Sequence, residues 1–203
     1  MKKKPEVTAA TRRKIMDSFW MHYMSTPIEK ITISSITKSA GIHRSTFYEY
    51  FKDIYDVLEQ IENELLEQLE HKFLTIVRQH VQSIHDNDAP ADLNRFIDIT
   101  LTFFTEYSEQ IYRLSCIAGD PSFRRKLFAI FKTNFMVIHK IPKNSPYADY
   151  LSSFVFAIIL NDLKYWWEHK DSISIQEITV LTYKAIGEWL SNHFFYKDDD
   201  LSL

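Results

Sequence analysis

Cysteine, glycine and proline are scarce in this chain, which has one, three and six of them among 203 residues. Because Cys116 is the single cysteine, the chain cannot form an internal disulfide or a cysteine-based zinc site. Its neighbours are mostly apolar, so we interpret Cys116 as a small buried side chain in preference to a redox sensor. The scarcity of glycine and proline disfavours a turn-rich β architecture and disordered repeats.

Long apolar runs and a signal peptide are also lacking. No run approaches the roughly 18 residues that a helix needs to cross a bilayer. Hydrophobic residues still make up 45% of the chain, which is enough for a substantial core. We therefore expect a soluble, reduced protein of the cytoplasm that has no membrane partner.

Motifs of catalysis and metal binding are missing as well. The chain has no glycine-rich phosphate loop, no GxSxG and no HExxH, and its eight histidines show no ligand spacing. Residues 85–92 are rich in acids but lack the ligand spacing of a calcium loop. We interpret the chain as a non-enzyme and expect no catalytic site, no metal and no cofactor.

Charge is unevenly distributed along the chain, although the net charge is only −3. Residues 1–52 carry ten lysines and arginines and four acids, a net charge of +6. The remaining residues carry 14 basic and 23 acidic side chains, a net charge of −9. A basic segment joined to an acidic remainder indicates that the first segment meets a polyanion.

Residues 31–58 have the pattern of two short helices joined by a tight turn and followed by the start of a long helix. Thr32 is suited to N-cap the first short helix, and Ile33 and Ile36 share its inward face. Gly41 follows that helix, where a glycine can adopt a positive φ and let the chain reverse.

The second short helix begins at His43 or Arg44 and has a polar, hydroxyl-rich outer face. Phe47 and Phe51 are available to pack inward against a preceding helix, which we predict over residues 8–24. A short helix, a glycine turn and a polar short helix together form the helix-turn-helix pattern.

The segment AGIHRSTFYEYFKD resembles the signature of the TetR/AcrR-type transcriptional regulators. The matching residues are Gly41, Ile42, Thr46, Phe47, Tyr48, Tyr50, Phe51 and Lys52. The resemblance implies an all-α fold, in which residues 1–52 form a three-helix helix-turn-helix DNA-binding domain. Residues 53–203 would then form a larger helical domain for effector binding and dimerisation. The helical pattern of the whole chain predicts about nine helices.

The predicted DNA-binding residues lie on or beside the two short helices. Arg44 would enter the major groove and pair with guanine or bind a phosphate, while Ser45 and Thr46 would reach base edges or phosphates. Phosphate contacts, which set the register of the protein but carry no sequence information, suit five further residues: Thr32, His43, Tyr48, Tyr50 and Lys52.

Two residues depart from what the family and a DNA-binding surface would require. Ile54 stands where the family often has a lysine that holds a phosphate, so Lys52 or the N-terminal amide groups of the long helix would have to replace it. Glu49 faces outward and would repel a phosphate unless it accepts a hydrogen bond from a cytosine amino group.

The rest of the chain is a succession of apolar helices, with a break between residues 107 and 109. They are predicted over about residues 52–84, 93–107, 109–118, 121–140, 147–170 and 175–196. The last two carry more apolar surface than one internal face requires. We favour a four-helix interface between two copies of the chain, which the resemblance also implies, and a buried pair in a monomer is the alternative.

Six aromatic residues of this part are candidates for an effector pocket. They are Phe104, Tyr107, Tyr112, Phe131, Phe135 and Trp166. They could line a cavity for a hydrophobic or aromatic small molecule. For any one of them packing in an ordinary core is the alternative, and the resemblance implies that some pocket exists.

Together these patterns predict a homodimeric repressor that binds a palindromic operator in double-stranded DNA and is released by a small-molecule effector. The alternative is a non-enzymatic co-regulator of the same fold that acts mainly through a protein partner. Glu49 and Ile54 favour this alternative, because neither suits a phosphate contact.

Overall fold

All regular structure in the described part of the chain is helical, which confirms the all-α prediction. The computed structural model describes residues 5–85, 106–117, 120–138, 141–142, 145 and 147–187. The chain divides into two compact units, Met1–Glu67 and Gln68–Leu203, which are called the first and second unit below. Within the described ranges no helix is both long and apolar enough to cross a bilayer.

The first unit contains three helices and the start of a fourth. They are α1 (Pro5–Tyr23), α2 (Ile33–Ala40), α3 (Arg44–Tyr48) and α4 (Ile54–His85), with a 3-10 turn at Ile28–Lys30 before α2. This order confirms the predicted helix, helix-turn-helix and long helix, with bounds within a few residues of those expected from the sequence.

The core of the first unit comes from the apolar faces that the sequence pattern predicts. The buried side chains include Ile15, Met16, Phe19, Tyr23, Ile36, Phe47, Phe51 and Val57. α1 lies directly on α2, where the buried Ser18 hydroxyl donates a hydrogen bond to the carbonyl oxygen of Ile36 at 3.0 Å. Ile33 is only half-buried, and the buried residues of α2 are Ile36 and Thr37.

Both ends of α2 are closed by local hydrogen bonds. The Thr32 hydroxyl accepts from the Ser35 N–H at 3.1 Å, and the Ser35 hydroxyl oxygen accepts from the Thr32 N–H at 3.3 Å. Gly41 adopts φ +65° after the helix, and the next N–H, that of Ile42, reaches the Thr37 carbonyl oxygen at 3.0 Å. This C-terminal closure is the left-handed turn that the glycine predicts.

The second unit begins in α4 and continues through four described helices. They are α5 (residues 106–112, followed by a π-helical turn at Arg113–Ile117), α6 (Pro121–Ile138), α7 (Ala148–His169) and α8 (Ile175–Thr182, followed by a π-helical turn at Tyr183–Gly187). The predicted break between residues 107 and 109 is wrong, because residues 106–112 form one helix with Ser108 buried. Ser108 is neither glycine nor proline and places no restriction on the backbone that would end a helix.

α7 is the central helix of the described part of the second unit, since it packs on α6, on α8 and on the π-helical turn after α5. The core there contains Phe123, Leu127, Phe131, Phe135, Leu151, Val155, Phe156, Leu160 and Leu163. The four α6 residues in this set are spaced four residues apart, so they lie on one face of the helix.

Candidate nucleic-acid interface

The short helix α3 presents one polar face outward and buries the other. Phe47 is 0% exposed and anchors the helix in the core of the first unit. Arg44, Ser45 and Tyr48 are exposed, and Thr46 is half-buried. Their side chains therefore form a short polar ridge that a duplex could contact.

Arg44 and Tyr48 contact each other on this ridge. The Arg44 Nη2 atom donates a hydrogen bond to the Tyr48 Oη atom at 3.1 Å. The guanidinium carbon lies 5.7 Å from the centroid of the tyrosine ring. Sequence reasoning assigned the two residues separately and missed the pair, although a spacing of four residues on a helix predicts such a contact.

The other predicted DNA-binding residues lie around α3. His43 is the exposed N-cap residue of α3 and makes no side-chain capping bond. Thr32 is exposed, but its hydroxyl oxygen already accepts from Ser35 at the start of α2. Tyr50 is half-buried, and Lys52 is exposed.

The N-terminus of α4 carries two carboxylates that bond to backbone amides. The Asp53 Oδ1 atom accepts from the Asp56 N–H at 2.9 Å, and the Asp56 Oδ2 atom accepts from the Lys52 N–H at 2.7 Å. Ile54, which stands at the family's lysine position, is buried. Carboxylates therefore engage these two amide groups, while the Lys52 side chain is exposed.

The charge on Asp56 is favoured by its surroundings. Partial burial raises the pKa of this carboxyl group, but hydrogen bonds from the Lys52 amide and the Gln60 side chain outweigh that effect. The positive charges of Lys52 and Arg12 add to them, so the pKa lies below its ordinary value. Asp56 therefore places a negative charge beside the predicted phosphate-binding residue Lys52.

Arg12 does not contribute to the basic surface on which the sequence argument drew. Its Nε and Nη2 atoms donate to the Gln60 Oε1 atom at 3.1 and 2.6 Å, and its Nη1 atom forms an ion pair with Glu64. Its guanidinium also lies 5.8 Å from the centroid of the Phe51 ring. Arg12 thus joins α1 to the first turns of α4, and sequence reasoning missed this contact.

Exposed basic side chains remain on the described part of the first unit. They are Arg13, Lys14, Lys30, Lys38, Arg44 and Lys52. Arg13 is paired with Asp17 at 2.9 Å, an exposed contact between residues four apart on α1. Exposed basic side chains on this unit suit the attraction of a polyanion.

Comparison with known proteins finds a similar fold in solved structures of transcriptional regulators. No protein-family model and no curated protein matches the chain. The fatty acid degradation regulator FadR from Bacillus halodurans matches with a TM-score of 0.56 at 14% identity, over 97% of this chain and 100% of that one. FadR from Bacillus subtilis, solved in complex with stearoyl-CoA, matches with a TM-score of 0.61 at 15% identity, over 86% of this chain and 98% of that one. A TetR transcriptional regulator from Streptococcus agalactiae 2603V matches with a TM-score of 0.58 at 19% identity, over 88% of this chain and 93% of that one.

The chain has the fold of the TetR-type transcriptional regulators.

In the second unit of this TetR-type fold, four of the predicted pocket residues form two separate groups, and Phe104 lies outside the described residues. Phe131 and Phe135 are buried, and their stacked rings have centroids 5.3 Å apart. The Phe131 ring also contacts that of Phe156 of α7, again with 5.3 Å between centroids. Tyr112 is buried and stacks on Trp167 of α7 at 5.1 Å.

Trp166 and Tyr107 are the half-buried members of the predicted pocket. The Trp166 ring meets the Trp167 ring edge-on, with 5.8 Å between centroids. Because Tyr112 stacks on Trp167, these three residues form one group, the Tyr112 group. Tyr107 has the Lys72 ammonium 5.5 Å from its ring centroid. Phe156 and Trp167 are eleven residues apart on α7, or about 16 Å along the helix axis. The structure thus brings Phe131 and Phe135 to one place along α7, and Tyr112 and Trp166 to another, while the contact of Tyr107 is with Lys72 of α4.

Cys116 is half-buried beside α7, with its Sγ atom 3.8 Å from the Leu160 carbonyl oxygen. Burial raises the pKa of the thiol despite the opposing charges of Arg124 and Lys164. The thiol form is therefore favoured, and it is the less reactive form of cysteine. In the described ranges no group of three or more histidine, cysteine or acidic residues could hold a metal ion.

Proposed function

We propose that this protein is a sequence-specific DNA-binding transcriptional regulator, a repressor that leaves a near-palindromic operator when a hydrophobic small molecule binds. Residues 1–52 would contact DNA, and residues 53–203 would bind the effector and form the dimer. The observation that carries the proposal is the polar ridge of α3, on which Arg44, Ser45 and Tyr48 are exposed while Phe47 anchors the helix.

The roles of the DNA-binding residues follow from their chemistry and exposure. Arg44 would pair with a guanine, and Ser45 and Thr46 would reach neighbouring base edges or phosphates. Lys52 and His43, both exposed, would bind phosphates on either side of the groove. Thr32 and Tyr50 are proposed as further phosphate contacts.

Dimerisation would place two α3 helices on one duplex. The exposed side of α7 supports this proposal, because Tyr150, Phe154 and Tyr165 are large, apolar and at least 40% exposed. Leu181 of α8 is 59% exposed. Two copies of α7 and α8 would bury these side chains in a four-helix interface. The half-sites would then lie about one helical turn of DNA apart.

The effector is proposed to be a molecule with a long apolar segment. Aromatic side chains contact α7 at two places about 16 Å apart, the Phe131 group at Phe156 and the Tyr112 group at Trp167. The similar FadR structure from Bacillus subtilis contains stearoyl-CoA, which has such a segment. α4 is continuous from Ile54 to His85, so a ligand that moves its second half would alter the separation of the two α3 helices.

Selection of duplexes from a random pool tests the DNA-binding proposal directly. The wild-type protein should enrich a near-palindrome, and footprinting should protect both half-sites. Arg44→Ala and Lys52→Ala should each weaken binding by about ten-fold, because each removes a charged contact. Arg13→Ala is the matched control, since Arg13 is exposed but paired with Asp17 on α1. Protection of one asymmetric half-site would contradict the dimeric operator.

A thermal-shift screen with fatty acids, acyl-CoA thioesters and flat aromatic compounds tests the effector proposal. A compound that raises the melting temperature should also weaken binding to the selected duplex. A compound that stabilises the protein but leaves DNA affinity unchanged would contradict the coupling between the two sites.

A co-regulator that works through a protein partner is the second candidate function. The carboxylates of Asp53 and Asp56 favour it, because they bond to amides at the N-terminus of α4 beside Lys52. The exposed Glu49 adds a further negative charge. A wild-type protein that enriches no duplex from the random pool would support this function over the first.

A further inference from the structure

Arg44 and Tyr48 occupy the first and last positions of α3 and lie on the same side of the helix. The Arg44 Nη2 atom donates to the Tyr48 Oη atom at 3.1 Å. The guanidinium carbon lies 5.7 Å from the ring centroid, within the range of a cation–π contact. Two different contacts thus hold the same arginine head group against the same side chain.

The Tyr48 ring is itself connected to the core of the first unit. It meets the Phe47 ring edge-on, at 5.7 Å between centroids and an interplanar angle of 89°. Phe47 is fully buried and contacts the ring of Phe51 at 5.8 Å. The Arg44 head group is therefore linked to rigid packing through a single half-exposed ring.

This link matters because a free arginine side chain has many rotamers and loses them when it binds. Arginine reads guanine through two parallel N–H donors that reach the O6 and N7 atoms. The planar guanidinium carries five N–H donors, and the Tyr48 oxygen takes one of them. Enough donors therefore remain for a bidentate contact from the orientation that Tyr48 favours.

We infer that Tyr48 is a specificity-determining positioning residue, which holds the Arg44 guanidinium in the orientation that reads a guanine in the major groove. This inference rests on the proposed DNA-binding function. It gives Tyr48 a role different from the phosphate contact that the sequence predicts. A phosphate contact would support every duplex equally, whereas a positioning residue supports mainly duplexes that carry the guanine.

A guanine analogue separates the two roles. 7-Deazaguanine lacks the N7 acceptor but keeps the base pair and the O6 atom. The experiment measures the affinity of each variant for the duplex that wild type selects and for duplexes with 7-deazaguanine at each guanine position in turn. The position that Arg44 reads is the one where the substitution weakens wild type but not Arg44→Ala.

At that position wild type should prefer guanine over 7-deazaguanine by about ten-fold. Tyr48→Leu should reduce this preference by about three-fold, because both contacts to the guanidinium are lost. Tyr48→Phe keeps the ring and its packing on Phe47, so it should reduce the preference by less. The double variant Arg44→Ala/Tyr48→Leu should show no preference, like Arg44→Ala alone.

If Tyr48→Leu binds the guanine duplex and the 7-deazaguanine duplex equally more weakly than wild type, the preference for guanine is unchanged. That result would overturn the inference and leave Tyr48 as a phosphate contact. Absence of any guanine at which wild type and Arg44→Ala differ would overturn it too. Failure of wild type to select a duplex would contradict the proposed function itself, which is a separate outcome. Tyr48→Phe preserves the hydrophobic contact, so a reduced preference in that variant with an unchanged melting temperature cannot be explained by misfolding.

Discussion

Gly41 decides where the chain turns between α2 and α3. Its φ of +65° lies in the left-handed region, and a Cβ atom at this position would meet no atom within 4 Å beyond its two neighbours in the chain. A substitution at this position therefore meets the local cost of the left-handed conformation without a clash with packed neighbours. The sequence predicts this turn because glycine adopts such a φ freely.

Gly41→Ala should lower the free energy of unfolding by about 1–2 kcal/mol, the cost of a left-handed conformation for a residue with a Cβ atom. Gly41→Asn should lower it by less, because asparagine tolerates this region better. Urea denaturation of the three proteins measures both effects. An alanine variant as stable as wild type would show that the backbone can leave this φ without loss.

Asp162 and Thr182 form a second local contact with a measurable consequence. The Thr182 hydroxyl of α8 donates to the Asp162 Oδ2 atom of α7 at 2.7 Å. Burial raises the pKa of Asp162 above its ordinary value of 3.8, and the bond from Thr182 opposes the rise. Because the folded-state pKa is the higher one, the group stabilises the fold most at low pH. That contribution is lost as pH rises from the unfolded value through the folded value.

Thr182→Val removes the donor and should raise the pKa of Asp162 further. The variant should lose stability relative to wild type at pH 7, by about 1.5–3 kcal/mol for a hydrogen bond to a charged group. The difference should shrink as pH falls below the folded-state pKa, because the carboxyl group is then neutral in both proteins. Urea denaturation from pH 3 to pH 7 measures it. A difference that stays constant with pH would show that Asp162 is not the partner through which Thr182 stabilises the fold.

At the scale of elements, α1 and α4 are joined by polar contacts as well as by the apolar core. Asp56, Gln60 and Glu64 recur every four residues along one side of α4. The Gln60 side-chain oxygen accepts a hydrogen bond from the Arg12 guanidinium, and Glu64 forms an ion pair with it. The Gln60 amide donates to the Asp56 Oδ1 atom at 2.8 Å. These contacts all lie within the first compact unit, which extends to Glu67.

Arg12→Ala should destabilise the first unit by about 1 kcal/mol, since a half-exposed ion pair contributes modestly. Arg13→Ala is the matched control, because its pair with Asp17 is exposed and lies within α1. It should change stability by only a few tenths of a kcal/mol. Hydrogen exchange at α1 amides reports the opening of this unit. Similar protection losses in the two variants would contradict a special role for Arg12 in joining α1 to α4.

Most helices of the described part could be predicted because helical periodicity is a local property of the sequence. The inward positions of α1, the cap at Thr32 and the turn at Gly41 all follow from residue type and spacing. The partners of charged side chains were harder to predict, because they can lie far away in the sequence. Arg12 counts toward the basic charge of the first segment, yet it bonds to α4 residues 48 and 52 positions away. The Arg44–Tyr48 contact was within reach of a spacing argument, but each residue was considered alone.

At the scale of the whole molecule, α7 combines a buried side with an exposed apolar one. Leu151, Val155 and Leu163 are buried in the second unit, while Tyr150 and Phe154 stack on each other at 6.3 Å and are exposed. Exposed aromatic side chains at a spacing of four residues are more than isolated surface contacts, and such a patch is typical of an interface. The sequence predicts this excess of apolar surface, although several residues that would share it, including Trp189 and Phe194, lie outside the described residues.

Phe154→Arg should convert the proposed dimer into a monomer, because a charge buried in an apolar interface without a partner is strongly unfavourable. Val137→Arg is the matched control, since Val137 is an exposed apolar residue of α6, 49% exposed compared with 40% for Phe154. Sedimentation velocity should give twice the chain mass for wild type and Val137→Arg, and the chain mass for Phe154→Arg. The monomer should keep its helical content by circular dichroism yet bind the selected duplex far more weakly, because one α3 helix reads only a few base pairs. A Phe154→Arg variant that stays dimeric would move the interface away from this side of α7, and a wild-type monomer would remove the basis for a two-fold operator.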